Sequence, residues 1–374
     1  MNWQAFRDHF PVTARWAFFD HAAVAPPPAD CANVLGEWAD DKALNGVTSY
    51  HPWAQRVEET RKLAGRLLNA DPLDVCFVGS TTHGIGIVAE GFPWKPGDNV
   101  VSAAEEYPSN QYPWINLRDK GVEYRAVASR GNRVAIDDIR AAMDGRTRVL
   151  ALSSVEYGSG YRNDLAALGE LCRSRGVFFF VDAIQTLGVF RMDVQQLPID
   201  ALAADSHKWM LGPEGAGIAY IRREWVDRLH ATGVGWHSVV NWQDFGTIDF
   251  RLKPHAGRWE GGTVNAGAIA GMGASLQLLL DTGIEPIAAR VLELTDYLCE
   301  KAPSVGTEVF SSRAPAEKSG IVSLLTPGRD PKELMLRCKD AGIVVNVRGG
   351  RLRVSPHAYN TVEEIDRFLQ VLAS

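Results

Sequence analysis

Cysteine is scarce. The 374 residues hold five, at Cys31, Cys76, Cys172, Cys299 and Cys338, and no two form a CxxC pair. That spacing argues against the usual zinc sites, and an odd, small number suits a reducing compartment rather than a disulfide framework. Long apolar runs are missing too. No stretch of about 18 apolar residues is present to span a bilayer. The first residues, Met1-Asn-Trp-Gln-Ala-Phe-Arg-Asp8, lack the apolar core of a signal peptide. The expectation is a cytoplasmic protein with no membrane partner. Positive charge is not in excess: 39 Lys+Arg stand against 45 Asp+Glu, for a net charge of −6. That argues against a nucleic-acid partner and leaves room for a local cationic pocket. Internal repeats and low-complexity tracts are absent as well.

What is present is ordinary globular material, 46% hydrophobic and 22% charged, long enough for about two domains. After a Pro-rich loop, His21-Ala-Ala-Val-Ala-Pro-Pro-Pro28, residues 30–45 and 53–69 read as amphipathic helices. A rhythm of short apolar runs and helical stretches follows. The runs are Val75–Val78, Asn99–Ser102, Tyr124–Val127, Val149–Leu152, Val177–Val181, Ala201–Ala204 and Gly217–Ile221. They are continuous rather than alternating, which marks strands buried on both faces of a mostly parallel sheet. After about residue 260 the pattern becomes a smaller α+β unit. The fold class is therefore α/β, with a large domain over 20–262 and a small one over 263–374, to which residues 1–19 return.

Three segments carry chemistry. Val78-Gly-Ser-Thr-Thr-His-Gly-Ile-Gly-Ile-Val-Ala89 follows a strand and opens a helix. Ser80-Thr81-Thr82 supplies hydroxyls and N–H groups where a helix dipole favours an anion, although the same residues serve as a plain N-cap. Gly84-x-Gly86-x-x-Ala89 also fits a dinucleotide fingerprint, but its glycines fall inside the helix. Asp182 ends a very apolar strand, where ligands of open α/β sheets sit. Lys208 follows another buried strand, flanked by Trp209 and Met210. A buried lysine has a depressed pKa and serves as an imine-forming amine. An anion site, a strand-end Asp and a buried Lys together describe a site for pyridoxal 5'-phosphate. There an acidic partner keeps the pyridinium nitrogen protonated.

The sequence resembles the class V aminotransferases of the cysteine desulfurase and isopenicillin N epimerase superfamily over nearly its whole length. The resemblance implies the fold type I architecture of pyridoxal-phosphate-dependent transferases, with a mostly parallel seven-stranded sheet and a small α+β C-terminal domain. Residue by residue, it places Thr81 and Thr82 at the cofactor phosphate. Tyr107, in Glu106-Tyr-Pro-Ser-Asn, falls over the pyridine ring. Asp182 and Gln185 fall at the ring nitrogen and the phenolic oxygen. Ser206-His207-Lys208 matches the Schiff-base motif, with Lys208 catalytic and His207 near the phosphate. Arg258-Trp-Glu-Gly-Gly-Thr263 resembles the segment that reaches the neighbouring subunit's phosphate, implying a homodimer. Arg353, in Arg351-Leu-Arg-Val-Ser-Pro-His-Ala-Tyr-Asn360, falls where the substrate carboxylate binds, a bidentate task suited to guanidinium. Phe19-Asp-His-Ala-Ala23 resembles the opening motif, which makes His21 a candidate substrate contact beside a helix-capping or solvated role. The segment with Trp236, His237 and Trp242, within 233–257, is expected to line the pocket.

Two departures matter. The stretch before the C-terminal Arg motif, Asn346-Val-Arg-Gly-Gly-Arg351, lacks the mobile-loop cysteine of a desulfurase, which disfavours persulfide chemistry. Glu156 stands where relatives carry Asn or Gln, so a cofactor contact there needs a protonated or paired carboxyl. Aminotransferase is the leading reading, since it needs no group beyond Lys208. A lyase acting by β-elimination and an amino-acid epimerase are the alternatives. A non-catalytic binder and an NAD-dependent oxidoreductase are weighed and set lower, because neither explains Lys208 with Asp182.

Overall fold

The computed structural model describes residues 1–374. Thirteen strands appear in chain order: β1 Ala17–Phe18, β2 Val75–Val78, β3 Asn99–Ala103, β4 Glu123–Val127, β5 Thr147–Ser153, β6 Phe178–Asp182, β7 Ala201–Asp205, β8 Gly217–Ile221, β9 Glu308–Val309, β10 Val322–Leu325, β11 Ile343–Val344, β12 Asn346–Arg348 and β13 Arg351–Val354. The central sheet has seven strands in the order β2-β8-β7-β6-β5-β3-β4. Only β8 runs against the others, antiparallel to both β2 and β7. Every residue of β2, β3, β6, β7 and β8 is buried. Full burial on both faces explains why these strands read as unbroken apolar runs. Phe178, Phe179 and Phe180 alone contribute on the order of 2 kcal/mol each by burial.

Because β2, β3, β5, β6 and β7 point the same way, their carboxyl ends share one edge of the sheet. The segments that leave them carry Ser80–Thr82, Glu106–Tyr107, Glu156–Tyr157, Asp182 and Ser206–Lys208 respectively. Topology therefore gathers the chemically suggestive segments at one rim.

The smaller unit is a four-stranded sheet, β12-β13-β10-β9. Its core gathers Ala17 and Phe19 with Leu294, Leu298, Val322, Leu352 and Phe368. The N-terminal segment returns to this unit by pairing β1 in parallel with β11. The helix Ala266–Thr282, placed by sequence in the small unit, has its buried Met272, Leu276 and Leu279 in the large core. It carries Gly271 and Gly273, whose missing side chains let Cys31 and Thr60 on the helices Ala29–Asn45 and Tyr50–Leu68 come close.

Candidate active site

A cavity of about 310 Å³ opens at the rim. Lys208 lies on its wall, 9% exposed. β7 delivers it, and the backbone after β7 is tightly pinned. Ser206 Oγ donates to Pro213 O at 2.8 Å, and Gly212 N–H donates to Ser206 O at 2.9 Å. Leu211 sits at φ 57°, a left-handed conformation that costs a non-glycine residue about 1 kcal/mol or more. A Cβ on Gly188, at φ 98°, would overlap the carbonyl of Trp209, so only glycine lets the Asp182 segment cross behind Lys208. The Pro-rich loop is clipped to the same turn, Ala25 N–H donating to His207 O at 2.7 Å.

Burial pulls the Lys208 amine down to about 8, with Asp182 opposing the shift. Burial pushes the Asp182 carboxyl up to about 6, against the Ile184 N–H and Lys208. Asp182 Oδ1 accepts from Ile184 N–H at 3.0 Å, and no protein donor is hydrogen-bonded to Oδ2. Lys208 has no carboxylate within ion-pair distance, and its Nζ stands 5.6 Å from the centre of the Tyr107 ring. Tyr107 is 45% exposed and meets Tyr157 edge-on at 5.2 Å. Across the cavity begins the helix Thr81–Gly91, capped by Ser80 Oγ, which accepts from His83 N–H. Thr81 and Thr82 line the wall, and Thr81 Oγ1 accepts from Asp205 N–H at 3.0 Å. His207 also lines it. Its Nδ1 lies 3.1 Å from Asp205 Oδ2, an ion-pair distance without hydrogen-bond alignment.

Gln185 and Arg353 complete the group the sequence predicted. Gln185 lines the cavity, with Oε1 accepting from Trp209 Nε1 and Nε2 donating to Ala22 O. Arg353 is 1% exposed and donates to Asp20 Oδ1 and to Tyr157 O, each at 3.1 Å, while its Nε has no partner. Asp20, in Phe19-Asp-His, shows no sequence signal of its own for this role. Arg348, Tyr157, Asp205 and Ser109 also line the wall and were not foreseen. The one available signal was for Arg348, in the Arg-Gly-Gly-Arg turn before Arg353.

Other predicted residues lie elsewhere. His21 is fully buried behind the wall, its Nδ1 2.8 Å from Ser355 O and its Nε2 2.8 Å from Tyr359 Oη. With both nitrogens engaged and burial holding its pKa down to about 4, it has no atom free for a substrate. Ser206 is buried in the turn rather than on the wall. Glu156 faces a neighbouring chamber of about 450 Å³. Its Oε1 accepts from Asn163 at 2.8 Å and its Oε2 has no partner. Burial and the nearby Glu106 push its carboxyl well above the ordinary range. Thr263, Trp236, His237 and Trp242 line a separate cavity of about 640 Å³, with Trp38, Trp53 and the buried Arg61–Glu260 pair. The 233–257 segment thus does not enter the Lys208 cavity of its own chain. Gly84 lies where a Cβ would overlap Ala203, so it serves helix–sheet packing rather than a dinucleotide turn.

The wall fits pyridoxal phosphate. It offers an amine without a carboxylate partner, a carboxylate with an open oxygen, a helix N-terminus for an anion and an aromatic face.

The comparisons agree. A probable cysteine desulfurase of Methanothermobacter thermautotrophicus is 28% identical over 98% of this chain and 96% of its own. A cysteine desulfurase of Salmonella agona is 26% identical over 97% and 95%. Among solved structures, a cystine C–S lyase complexed with cysteine persulfide superposes with a TM-score of 0.91 at 22% identity, covering 98% of this chain and 99% of that one. A cysteine desulfurase from Thermococcus onnurineus gives 0.89 at 23%, covering 99% and 97%. At such identities the structural likeness speaks for the fold, fold type I. The aminotransferase class-V profile matches residues 17–368, and the chain belongs to that pyridoxal-phosphate-dependent family.

Proposed function

We propose that the chain is an aminotransferase acting at Cα of an amino acid, with Lys208 as the catalytic base and acid. The observation that carries this reading is one cavity wall holding both Lys208, with no carboxylate within ion-pair distance, and Asp182, with an open carboxylate oxygen. When bound, pyridoxal phosphate would supply an electron sink for the Cα carbanion. Asp182 would hold the ring nitrogen through its open oxygen, and Tyr107 would cover the ring face. Thr81, Thr82 and His207 would hold the phosphate, and Gln185 the phenolic side. Arg353 would take the substrate α-carboxylate through its unpartnered edge. An amine near 8 is neutral often enough at pH 7–8 to take a proton and charged often enough to return it.

Transamination needs no further acid. Epimerisation needs a second one, for which Tyr107, Tyr157 and His207 are the candidates on the wall, while His237 lines another cavity. A lyase reading is supported by the full-length likeness to proteins named as desulfurases. Against a persulfide relay on this chain, Cys31, Cys76, Cys172 and Cys338 are buried, and no cysteine lines the cavity. We further propose a homodimer in which Thr263 serves the partner's site. The exposed apolar side chains Leu44, Val47, Phe245, Ile248 and Phe250 support it. Sedimentation at micromolar concentration should give about twice the chain mass.

The test is a panel of amino acids added singly to the cofactor-loaded protein without an acceptor. Keto acid released to about one equivalent per site supports transamination. Catalytic release of ammonia with a thiol or persulfide would replace it with the lyase.

A further inference from the structure

We infer that this site selects an amino acid carrying a second carboxylate, with Arg348 holding the distal acid while Arg353 takes the α-carboxylate. The inference rests on reading the Lys208 cavity as an amino-acid site.

Three arginines follow one another on the hairpin of β12 and β13, turned through Gly349 and Gly350 at φ 53° and 72°. They are not equivalent. Arg353 is already paired with Asp20. Arg348 donates through Nη1 to Asn346 Oδ1 at 2.9 Å and Val347 O at 3.0 Å, and has no carboxylate within 4.0 Å. Asp20, the carboxylate beside it, has both oxygens engaged, Oδ1 by Arg353 and Oδ2 by Asn346. Arg348 therefore keeps an uncompensated guanidinium edge. It is also the cation common to both spaces, the 310 Å³ cavity and the 450 Å³ chamber beside it. Its charge reaches Lys208, whose amine both Arg353 and Arg348 push down.

None of the chamber's own acids lies within 4.0 Å of it. Glu105 accepts from Ser129 N–H. Glu106 accepts from Ser153 N–H and Oγ, and Glu156 from Asn163. Burial pushes the carboxyls of both Glu106 and Glu156 above the ordinary carboxylate range. Arg351, at the chamber's far side, lies over the Phe310 ring at 4.0 Å and donates to Ser323 Oγ, again without a carboxylate. A half-buried guanidinium left unpaired beside a reaction cavity matches a planar anion on the ligand. A substrate anchored by its α-carboxylate at Arg353 would present a side-chain carboxylate towards Arg348.

The test is calorimetric titration of the cofactor-loaded protein with succinate and with propionate, in wild type, Arg348→Gln and Arg348→Lys. The wild type should bind succinate at least about tenfold more tightly than propionate. Arg348→Gln should bring that ratio to near one with propionate affinity unchanged, and Arg348→Lys should retain part of the preference. Equal affinities in the wild type, or a preference that survives Arg348→Gln, overturn the inference. The visible spectrum of the same samples reports separately on the cofactor. A normal Lys208-dependent band without a succinate preference sinks the substrate class alone. A succinate preference that needs Arg348, without any such band, supports the anion subsite and sinks the reaction proposed above.

Discussion

Arg61 and Lys208 are both buried cations, and the protein treats them in opposite ways. Arg61 meets Glu260 through two parallel bonds, Nη1 to Oε1 at 2.6 Å and Nη2 to Oε2 at 2.9 Å, and meets Glu58 through Nε. Glu260 also accepts from Phe77 N–H. Burial opposes the Arg61 charge, and Glu260 with Glu58 outweighs it, so the pKa rises. Lys208 has no such partner, and burial prevails. Asp182, on the same cavity wall but outside ion-pair distance, is left with an open oxygen. Charges that close upon themselves hold the fold. Charges left half-answered in a cavity mark where a ligand completes them.

The comparison can be broken most sharply at Lys208. Lys208→Ala should lower turnover by about 10³-fold or more with no loss of thermal stability, and with a gain at neutral pH from removing a buried unpaired charge. A variant that unfolds instead would put Lys208 in the same class as Arg61. Glu260→Gln should do the reverse. Removing one partner of a buried ion pair costs about 3–5 kcal/mol, read as a lower denaturant midpoint, while the residual folded protein still takes up cofactor.

A third prediction concerns pH. In the cofactor-free protein Asp182 has a folded pKa near 6, above its unfolded value, so the folded state binds more protons between the two. Asp182 should therefore contribute a fall in stability of at most roughly 3 kcal/mol as pH rises from about 4 to 6, in the same direction as Glu106. Lys208, whose folded value near 8 lies below the unfolded one, should restore stability as pH climbs from about 8 towards 10. Asp182→Asn should remove its share of the acid limb and, by taking away the charge that supports the Lys208 ammonium, start the basic limb at lower pH. Denaturant titrations across pH check both limbs. The smallest effect belongs to Tyr107. Tyr107→Phe keeps the ring and should change kcat/KM less than about threefold, whereas Tyr107→Ala should lose about 1 kcal/mol of stacking, read in cofactor affinity.

All seven runs became strands within a residue or two. Two-sided burial explains the inner ones, but β4, at the sheet's edge, is exposed or half-buried throughout, contrary to the expectation of burial on both faces. The positions of Asp182 and Lys208 at the rim are readable from sequence because one ends β6 and the other stands three residues past β7, in a tightly bonded turn. His21 is not readable in this way. It follows a two-residue strand, and the Ser355–Tyr359 segment from the far end of the chain decides which way its ring turns. Thr263 and His237 follow long irregular segments whose path the Arg61–Glu260 pair fixes. Glu156 and Arg348 are hard to read for a related reason: whether a charge is answered depends on how a loop folds, the Glu156 loop bringing Asn163 back to it and the β12–β13 hairpin bringing Arg348 no carboxylate.

The central claim is that Lys208 is the amine that holds the cofactor. Its most direct test is borohydride reduction of the protein loaded with pyridoxal phosphate, followed by peptide mass analysis. The account predicts one pyridoxyl phosphate per chain, on the peptide containing Lys208, and its loss in Lys208→Ala. Label spread over surface lysines, or none at all, would contradict it.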